Sequence, residues 1–372
     1  MTARDPRRWR VIDTGLRGAA SNIALNRAIL EAHEAGGIPH TLRFLRFQPS
    51  ALLGFHQNVD QELRLDYCRE QGIEVQRRIT GGGALYFDAT QIGWELYVDK
   101  RFMGTADMTA ISRRICEAAA DGIRRLGVDA RFRPRNDIEV DGRKISGTGG
   151  AFDGDSILFQ GTLLVEFDVA RMLRVLRIPA EKLSDKAIAS ARDRVANLAE
   201  LLGHVPPLSE VQGHMIDAFG DALGVDFEPA AQLSDDEQVR YREALSEINS
   251  QEWVFQHNRP DSGSPLLAGV HRGPGGLMRA HVAVDHQRGR IKQLWITGDF
   301  FVNPRRMVPD LEAALRDTLI EDLRSNVHGF FDAYPVEMLM LQRGDFVAVI
   351  ENALAESGNS ARAGGQGQAP VL

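Results

Sequence analysis

The apolar residues in the first half of the chain follow two different periods. In residues 20–34 and 105–127 they recur every three to four positions, which predicts two amphipathic helices. The recurring positions are Ile23, Ala24, Ala28 and Leu30 in the first segment and Met108, Ile111, Ile115, Ala119 and Ile123 in the second. Residues 40–47 instead alternate as a half-buried strand does, and residues 92–98 and 157–168 predict further strands.

Glycine and proline mark the boundaries between these elements. Gly72 predicts the end of a short helix that starts near residue 65, and a strand follows it up to residue 79. Pro49 breaks a strand and predicts a small apolar turn over residues 50–54. Asp141 and Gly142 predict a tight β-hairpin over residues 136–150, since such pairs accept the positive φ of a two-residue turn.

The pattern changes near residue 250. Residues 277–301 predict two strands across a glycine-containing turn, and residues 308–323 predict a helix. Because strands and helices mix without regular strand–helix–strand alternation, we predict an α+β fold with a mixed, largely antiparallel sheet. We place a first domain at residues 1–250, a small α+β domain at 251–355 and a disordered, small and polar tail at 356–372.

Composition narrows the class of protein. The chain has 372 residues, 43% hydrophobic and 26% charged, with a net charge of -7. An acidic chain without a basic domain argues against nucleic acid as its main partner. No run of 18 or more apolar residues predicts a membrane span, and the N-terminus lacks the apolar segment of a signal peptide. We therefore expect a cytoplasmic protein that contacts neither membrane nor nucleic acid.

One stretch combines fixed charge with bare backbone: RRITGGGALYFD, residues 77–88. Gly81, Gly82 and Gly83 carry no β-carbon, so their N–H groups can point together at an anion. On an alternating strand, one of Arg77 and Arg78 would face that anion. A glycine-rich corner with solvated arginines explains the same residues. The spacing matches neither the P-loop nor the dinucleotide-binding motif.

The predicted hairpin carries a second candidate. Lys144 lies in its returning strand, just before Ser146 and Gly147. A lysine in this position can place its ammonium on an acyl carbonyl or a phosphate, although an exposed strand lysine fits as well. Asn136 and Asp137 begin the first strand, where Asp137 could orient Lys144, hold Mg²⁺ between phosphates or cap the strand. Together the two stretches indicate acyl or phosphate chemistry.

The other reactive side chains give weaker signals. Cys68 and Cys116 lack the spacing of a disulfide framework or a zinc site, and both are interpreted as buried, inert thiols. The ten histidines show no metal-ligand spacing, and His56 is interpreted as a surface or core histidine.

Several segments in order resemble the lipoate–protein ligase A family of the biotin/lipoate ligase superfamily. They are RRITGGGALYFD, NDIEVDGRKISG, QGTLLVEFD, FQPSALLGFHQN, SARDRVANLAEL, EWVFQHNRP and GRIKQLWITGDFF, the last two resembling the accessory domain of the family. The resemblance covers the chain up to about residue 355 and implies the α+β fold of that superfamily.

The resemblance also implies a reaction. ATP and lipoate form lipoyl-AMP and pyrophosphate, and a lysine of an acceptor then takes the lipoyl group as an amide. The acceptor is a lipoyl domain or a small carrier like the glycine-cleavage H protein. Lys144 is the implied catalytic residue, and Asn136, Asp137, Ser146 and Gly147 lie near ATP and its Mg²⁺. The implied lipoyl-AMP contacts are Arg77, Arg78, Thr80, Gly81, Gly82, Gly83, Ala84, Gly161 and Thr162.

Five residues at three places depart from the family pattern. Phe87 replaces a histidine, Thr90 and Gln91 replace Gly-Asn, and Phe159 with Gln160 replaces His-His. We interpret these as changes in acyl-chain or acceptor preference that leave Lys144 in place. They suggest a specialised acceptor, such as a free-standing lipoyl carrier.

Other functions remain open alternatives. An ATP-independent octanoyl- or lipoyl-transferase of the same fold would need a cysteine shortly before Gly142-Arg143-Lys144, and residues 129–144 contain none. A non-catalytic lipoate-binding protein would not need the lysine. Biotin ligation is possible by fold kinship, but the GRKISG segment and the accessory domain favour lipoate.

Overall fold

The chain folds into two compact units. A computed structural model describes residues 7–105, 107–134, 136–177, 185–258 and 266–363. The first unit takes the described residues of Met1–Leu53, Val59–Thr80 and Ala84–Gln256, and the second takes those of Gly54–Asn58, Gly81–Gly83 and His257–Leu372. The second unit therefore includes two short loops from the first half of the sequence. The domain boundary at residue 250 stays a prediction, and part of the linker, residues 259–265, lies outside the described residues.

The first unit alternates strands and helices irregularly. Its strands are β1 (Arg8–Arg17), β2 (Thr41–Phe47), β3 (Ser50–Leu53), β4 (Glu74–Arg77), β5 (Leu85–Phe87), β6 (Gln91–Asp99), β7 (Arg131–Arg133), β8 (Asp137–Val140), β9 (Arg143–Asp153), β10 (Ser156–Leu164) and β11 (Asp226–Pro229). Its helices are α1 (Ala19–Glu34), α2 (Val59–Glu62), α3 (Leu65–Glu70), α4 (Lys100–Met103), α5 (Met108–Arg124), α6 (Val169–Val175), α7 (Asp185–Arg192), α8 (Leu198–Leu202), α9 (Leu208–Leu223), α10 (Asp235–Ile248) and α11 (Gln251–Phe255).

Within the described residues, these strands form an eight-stranded and a three-stranded sheet. The large sheet has the order β11-β1-β2-β6-β10-β9-β8-β7, and the small one has the order β4-β3-β5. The β1–β11, β1–β2 and β3–β4 pairs are parallel and the other pairs are antiparallel. The predicted α+β fold with a largely antiparallel sheet is confirmed.

The main core lies between one face of the large sheet and helices α5 and α9. The apolar stripe of α5 is buried there with Trp94 and Leu96 of β6 and with Phe219 of α9. Asp107 starts α5 by accepting a hydrogen bond from the Thr109 N–H at 2.9 Å. The two helices predicted at 20–34 and 105–127 are confirmed as α1 and α5.

The opposite face of β6 carries a buried polar network. Since side chains alternate along a strand, Glu95 points away from Trp94 and towards α1. The Arg43 guanidinium on β2 donates to Glu95 at 3.0 Å and to the Asn22 side chain at 2.7 Å. Asn26 and Tyr97 also donate to the Glu95 carboxylate. Arg43 and Glu95 are almost fully buried, so bonds to these partners replace the water that each charged group has lost.

The second unit has its own core. Its elements are β12 (Leu267–Gly273), β13 (Gly276–Asp285), β14 (Arg290–Gly298), β15 (Val302–Asn303), α12 (Met307–Ala314), a 3₁₀ turn (Ile320–Asp322), α13 (Leu323–Ala333), β16 (Glu337–Met338) and α14 (Arg343–Ala363). Strands β12, β13 and β14 form an antiparallel sheet whose buried face packs on α12 and α14. The predicted strand pair over 277–301 is confirmed. Helix α14 runs to residue 363, and residues 364–372 of the predicted tail lie outside the described residues.

Two local predictions are wrong. Residues 50–53 were expected in a turn, yet Ser50–Leu53 forms strand β3, fully buried between β4 and β5. The helix expected over 308–323 ends at Ala314, because the Asp317 N–H bonds to the Ile291 carbonyl at 2.7 Å and Asp317 has a φ of 60°. Both errors arise because these segments bond to strands that are distant in sequence, and the local pattern of residues gives no information about such partners.

The Glu95→Ala variant tests the buried network. It leaves the Arg43 guanidinium buried without its carboxylate, so we expect the free energy of unfolding to fall by about 3–5 kcal/mol. The Glu228→Ala variant is the control, since the Arg8–Glu228 pair at 2.9 Å is mostly exposed and should contribute less than about 1 kcal/mol. Urea unfolding of both variants makes the measurement, and similar losses would contradict a supporting role of the network.

Candidate functional site

A β-hairpin in the first unit presents Lys144. Strands β8 and β9 meet at Asp141 and Gly142, whose φ values of 51° and 74° fit the predicted tight turn. Ile138 pairs with Ser146 but Glu139 pairs with Lys144, so Ile145 is the additional residue of a β-bulge. A bulge turns the neighbouring side chain in a new direction. The irregular pairing of this hairpin therefore sets the direction of the Lys144 side chain.

The Lys144 ammonium lies over Gly147 and against Asp137. Lys144 Nζ is 2.6 Å from Asp137 Oδ1, and the lysine side chain is 42% exposed. A β-carbon built on Gly147 would lie 2.7 Å from that Nζ, so a side chain at this position would displace the ammonium. Of the roles left open for Asp137, the structure contains the contact that orients Lys144. The ammonium is held in place and still accessible to a ligand.

Strand β10 adds polar groups beside this pair. The Gly147 N–H donates to Thr162 Oγ1 at 3.3 Å. Gln160, two residues earlier on the same face of β10, donates through Nε2 to Thr80 Oγ1 at 3.2 Å. Thr80 is buried and follows β4. The structure thus brings the hairpin residues, Thr162 and Thr80 onto one polar face of the sheet.

Gly161 and Ser146 lie on the other face. A β-carbon on Gly161 would lie 2.2 Å from the Trp94 indole, so this glycine lets β10 pack on the core. Ser146 is fully buried opposite Ile138, and its Oγ has no hydrogen-bond partner among the described residues. The structure does not bring these two residues together with Lys144 on the polar face, and their assignment to a ligand stays a prediction.

Arg77 and Arg78 are both buried. Arg77 donates to the backbone carbonyls of Trp253 and Val254, which ties β4 to α11. Arg78 donates to the Leu52 carbonyl at 2.9 Å and to Thr80 Oγ1 at 3.3 Å. Burial lowers the pKa of Arg77 to about 9 and that of Arg78 to about 10, so both stay charged at pH 7. The bonds described here serve the fold, and phosphate contact stays a prediction.

The three glycines lie in the second unit. A β-carbon on Gly81 would lie 2.3 Å from the Phe300 carbonyl oxygen, and Gly82 has a φ of 93°. Gly83 is exposed, with no atom closer than 3.9 Å to such a β-carbon. Packing inside the unit thus accounts for Gly81, while the contact of Gly83 with a ligand stays a prediction. His56 stacks on Phe300 at 5.0 Å between ring centroids, as expected for a core histidine.

Asn136 fixes the start of the hairpin. Its side-chain amide donates to the Thr148 carbonyl at 2.8 Å, and the Thr148 N–H donates to its carbonyl at 2.8 Å. Behind Thr148, on the helix side of the sheet, Cys116 Sγ lies 3.5 Å from Thr148 Oγ1. Burial raises the pKa of both Cys116 and Cys68 to about 11, which confirms the interpretation of both as buried thiols.

Three of the residues that depart from the family pattern, Phe87, Gln91 and Phe159, are buried inside the first unit. Phe87 is buried with its ring centroid 4.7 Å from that of Phe47. Phe159 lies on the core face of β10, with a centroid distance of 6.3 Å to Trp94. Gln91 donates to the Tyr86 carbonyl at 3.4 Å. Ala84 is half-buried directly before β5. Both phenylalanines are therefore repacked as core residues.

Sequence reasoning missed Gln160 as a member of the polar face. The sequence marked Gln160 only as part of the Phe159-Gln160 departure. Alternation with Phe159, Gly161 and Leu163 on the core face places Gln160 and Thr162 on the other face. The bond from Gln160 to Thr80 joins segments 80 residues apart. Only the fold could pair them.

Neither a metal-binding cluster nor a membrane-spanning helix occurs among the described residues. Among the described residues no group of three or more histidine, cysteine, aspartate or glutamate side chains could hold a metal ion. No helix in the described part of the chain has the length and apolarity that crossing a bilayer requires.

Comparison with known proteins identifies related sequences. The family model of the lipoyl protein ligase A/B catalytic domain matches residues 18–220. Lipoate-protein ligase A subunit 1 of Thermoplasma acidophilum is 31% identical over 62% of this chain and 90% of its own length. Lipoate-protein ligase LplJ of Bacillus subtilis is 31% identical over 70% of this chain and 76% of its own length. Octanoyltransferase LipM of Kyrpidia tusciae is 26% identical over 67% of this chain and 98% of its own length.

Solved structures show the same fold. A bipartite lipoate protein ligase from Thermoplasma acidophilum, studied with its E2 lipoyl domain, has a TM-score of 0.59 and 30% identity over 69% of this chain and 99% of its own. A lipoate-protein ligase A bound with ATP has a TM-score of 0.59 and 27% identity over 67% and 98%. LipL1 of P. falciparum, at 17% identity, shares the fold with a TM-score of 0.68. The match covers 88% of this chain and 95% of LipL1.

The surroundings of Cys116 predict its reactivity. With a pKa of about 11, only about one thiol in a thousand is a thiolate at pH 8, and burial blocks access as well. We expect iodoacetamide to leave Cys116 unmodified in the native protein and to modify it fully in urea, as read by peptide mass spectrometry. Rapid modification of the native protein at pH 8 would show an accessible thiolate and contradict this prediction.

Proposed function

The chain belongs to the lipoyl protein ligase A/B family, and we propose that within it this protein is an ATP-dependent lipoate–protein ligase. The proposed reaction has two steps. A carboxylate oxygen of lipoate attacks the α-phosphorus of ATP, and pyrophosphate leaves with the electrons of the broken P–O bond. The amine of an acceptor lysine then attacks the acyl carbon, AMP leaves, and the amine nitrogen loses a proton as the amide forms.

The observation that carries the proposal is the held but accessible ammonium of Lys144. Both steps develop negative charge on oxygen atoms next to the reacting centre, first on phosphate and then on the acyl carbonyl. A fixed cation stabilises that charge more in the transition state than in the ground state. Asp137 at 2.6 Å orients the ammonium before any ligand arrives, and Gly147 leaves the space that the ammonium occupies. This pre-organisation is what a catalytic cation requires.

The neighbouring residues receive roles from chemistry and position. Thr162, which accepts from the Gly147 N–H, and the Gln160–Thr80 pair supply hydrogen-bonding groups for the bound lipoyl-AMP. Asp137 is the proposed carboxylate for the Mg²⁺ of Mg-ATP. A ligase of this family has been solved with ATP bound, and another belongs to a lipoylation system that was analysed together with its E2 lipoyl domain, which supports ATP and a lipoyl-domain acceptor here. A carrier like the glycine-cleavage H protein remains within this proposal.

The alternative is an octanoyltransferase, since several relatives carry that name. A transferase that passes the acyl group through cysteine needs a thiolate beside the lysine. Residues 129–144 contain no cysteine, and Cys116 is buried on the helix side of the sheet, where burial raises its pKa to about 11. These facts favour the ligase. A lipoate-binding protein without activity would gain nothing from the fixed ammonium.

Lipoate-dependent ATP–pyrophosphate exchange tests the proposal. We expect exchange in the wild type that requires both ATP and lipoate, and a loss of about a hundredfold or more in Lys144→Ala, because the variant lacks the cation that stabilises the transition state. Lys292→Ala is the control, since Lys292 is exposed on β14, and it should keep wild-type exchange.

Two outcomes would redirect the assignment. Absence of exchange together with octanoyl transfer between carrier domains, abolished in Cys116→Ser, would establish the transferase. Absence of both reactions with lipoate still bound, measured by calorimetry, would leave a binding protein.

A further inference from the structure

The backbone of Lys144 is held by a segment outside the hairpin. The Lys144 N–H donates to the Arg194 carbonyl at 2.9 Å, and the Ala196 N–H donates to the Lys144 carbonyl at 2.9 Å. Lys144 and Val195 thus form a parallel β-bridge. The bridge pairs both backbone polar groups of Lys144 with this segment. The position of the lysine depends on residues 194–196.

Asn197 ties the same segment to the strand that carries Thr162. Its side-chain Oδ1 accepts from the Phe167 N–H at 2.8 Å and its Nδ2 donates to the Phe167 carbonyl at 3.1 Å. Phe167 follows the end of β10. Asn197 is also the N-cap residue of α8, yet its side chain makes no capping bond to that helix. An asparagine at an N-cap normally bonds to its own helix, so both polar atoms are used here for a tertiary contact instead.

We infer that Asn197 is a positioning residue for Lys144, acting through residues 194–196. It fixes residues 194–196 relative to β10 through Phe167, while the segment fixes Lys144 through two backbone bonds. The distance between the Lys144 ammonium and the polar groups of β10 is thereby set by this segment in addition to the pairing of β9 with β10. The inference rests on the proposed function for its activity readout, but the geometry it asserts can be measured without activity.

Other contacts join the same parts: the Ala199 N–H donates to the Val165 carbonyl at 3.1 Å, a backbone bond that removal of the Asn197 side chain leaves in place. The Arg143–Glu200 ion pair at 3.1 Å also joins the hairpin to α8, but its glutamate is 63% exposed and such pairs contribute little. Asp137 belongs to the hairpin itself, so it orients the ammonium without fixing the hairpin on the sheet. The paired bonds of Asn197 are half-buried, and removing the side chain leaves the Phe167 N–H and carbonyl without these partners.

The test compares Asn197→Ala with Ser234→Ala. Ser234 caps α10 in the same unit through its side chain, so its loss destabilises the unit without touching the Lys144 segment. In Asn197→Ala we expect kcat of ATP–pyrophosphate exchange to fall by about tenfold to a hundredfold, as for a misplaced catalytic group, with KM for ATP and lipoate changed less than about threefold. Ser234→Ala should keep kcat within about twofold. Thermal unfolding checks that both variants fold.

A second readout does not need activity. Competitive acetylation followed by peptide mass spectrometry gives the reactivity of Lys144 relative to the exposed Lys292. Loosening the contact with Asp137 should raise that ratio about two- to fivefold in Asn197→Ala and leave it unchanged in Ser234→Ala. If Asn197→Ala does not fold, Asn197→Gln, which keeps the amide but displaces it by one methylene, should show the same direction with a smaller change.

The outcomes separate this inference from the proposed function. Wild-type protein without exchange activity would remove the proposed function, while a raised Lys144 reactivity in Asn197→Ala would still support the positioning role. Unchanged reactivity in folded Asn197→Ala, or an equal fall of kcat in Ser234→Ala, would overturn the inference.

Discussion

The antiparallel register of β8, β9 and β10 is the constraint on which the candidate site depends. It sets Asp137 opposite Gly147 and Gly161 opposite Thr148, and the β-bulge at Ile145 shifts the pairing by one residue. A shift of one residue exchanges the two faces of a strand. The bulge therefore allows Lys144 and Gly147 to meet on the polar face while Ile145 remains in the core.

The two faces of the large sheet carry different kinds of residue, core residues on one and the candidate site on the other. On one face, Trp94 and Phe159 lie in the core with α5 and α9, and Cys116 is buried behind Thr148. On the other face lie Lys144 and Thr162. Residues taken from one sequence motif are divided between these faces, as Ser146 and Gly147 are. A family motif thus combines residues that can contact a ligand with residues that position them.

Several polar groups that have no proposed role in the reaction hold elements of the first unit together. Arg77 holds α11, the Arg43–Glu95 pair joins β2 to β6 on the face towards α1, and Asn197 joins α8 to the end of β10. Each makes bonds to groups far away in sequence. Buried polar groups that are fully bonded specify one arrangement, because any other arrangement leaves them unsolvated.

The sequence by itself determined the elements whose signals are local. The stripe from Met108 to Ile123 gave α5, and Asp141-Gly142 gave the hairpin that presents Lys144. Ordered motifs also identified the family before any fold was known. These signals suffice because helix periodicity and turn conformation depend on neighbours only a few residues apart.

Only the tertiary structure decided the rest. Strand β3 formed where a turn was expected, since its partners lie 24 and more residues away. The helix expected through residue 323 ended early because Asp317 pairs with Ile291. The contact of Gln160 with Thr80 and the bridge from Lys144 to residues 194–196 join distant segments as well. Such contacts depend on how the chain closes on itself, and no local pattern records that.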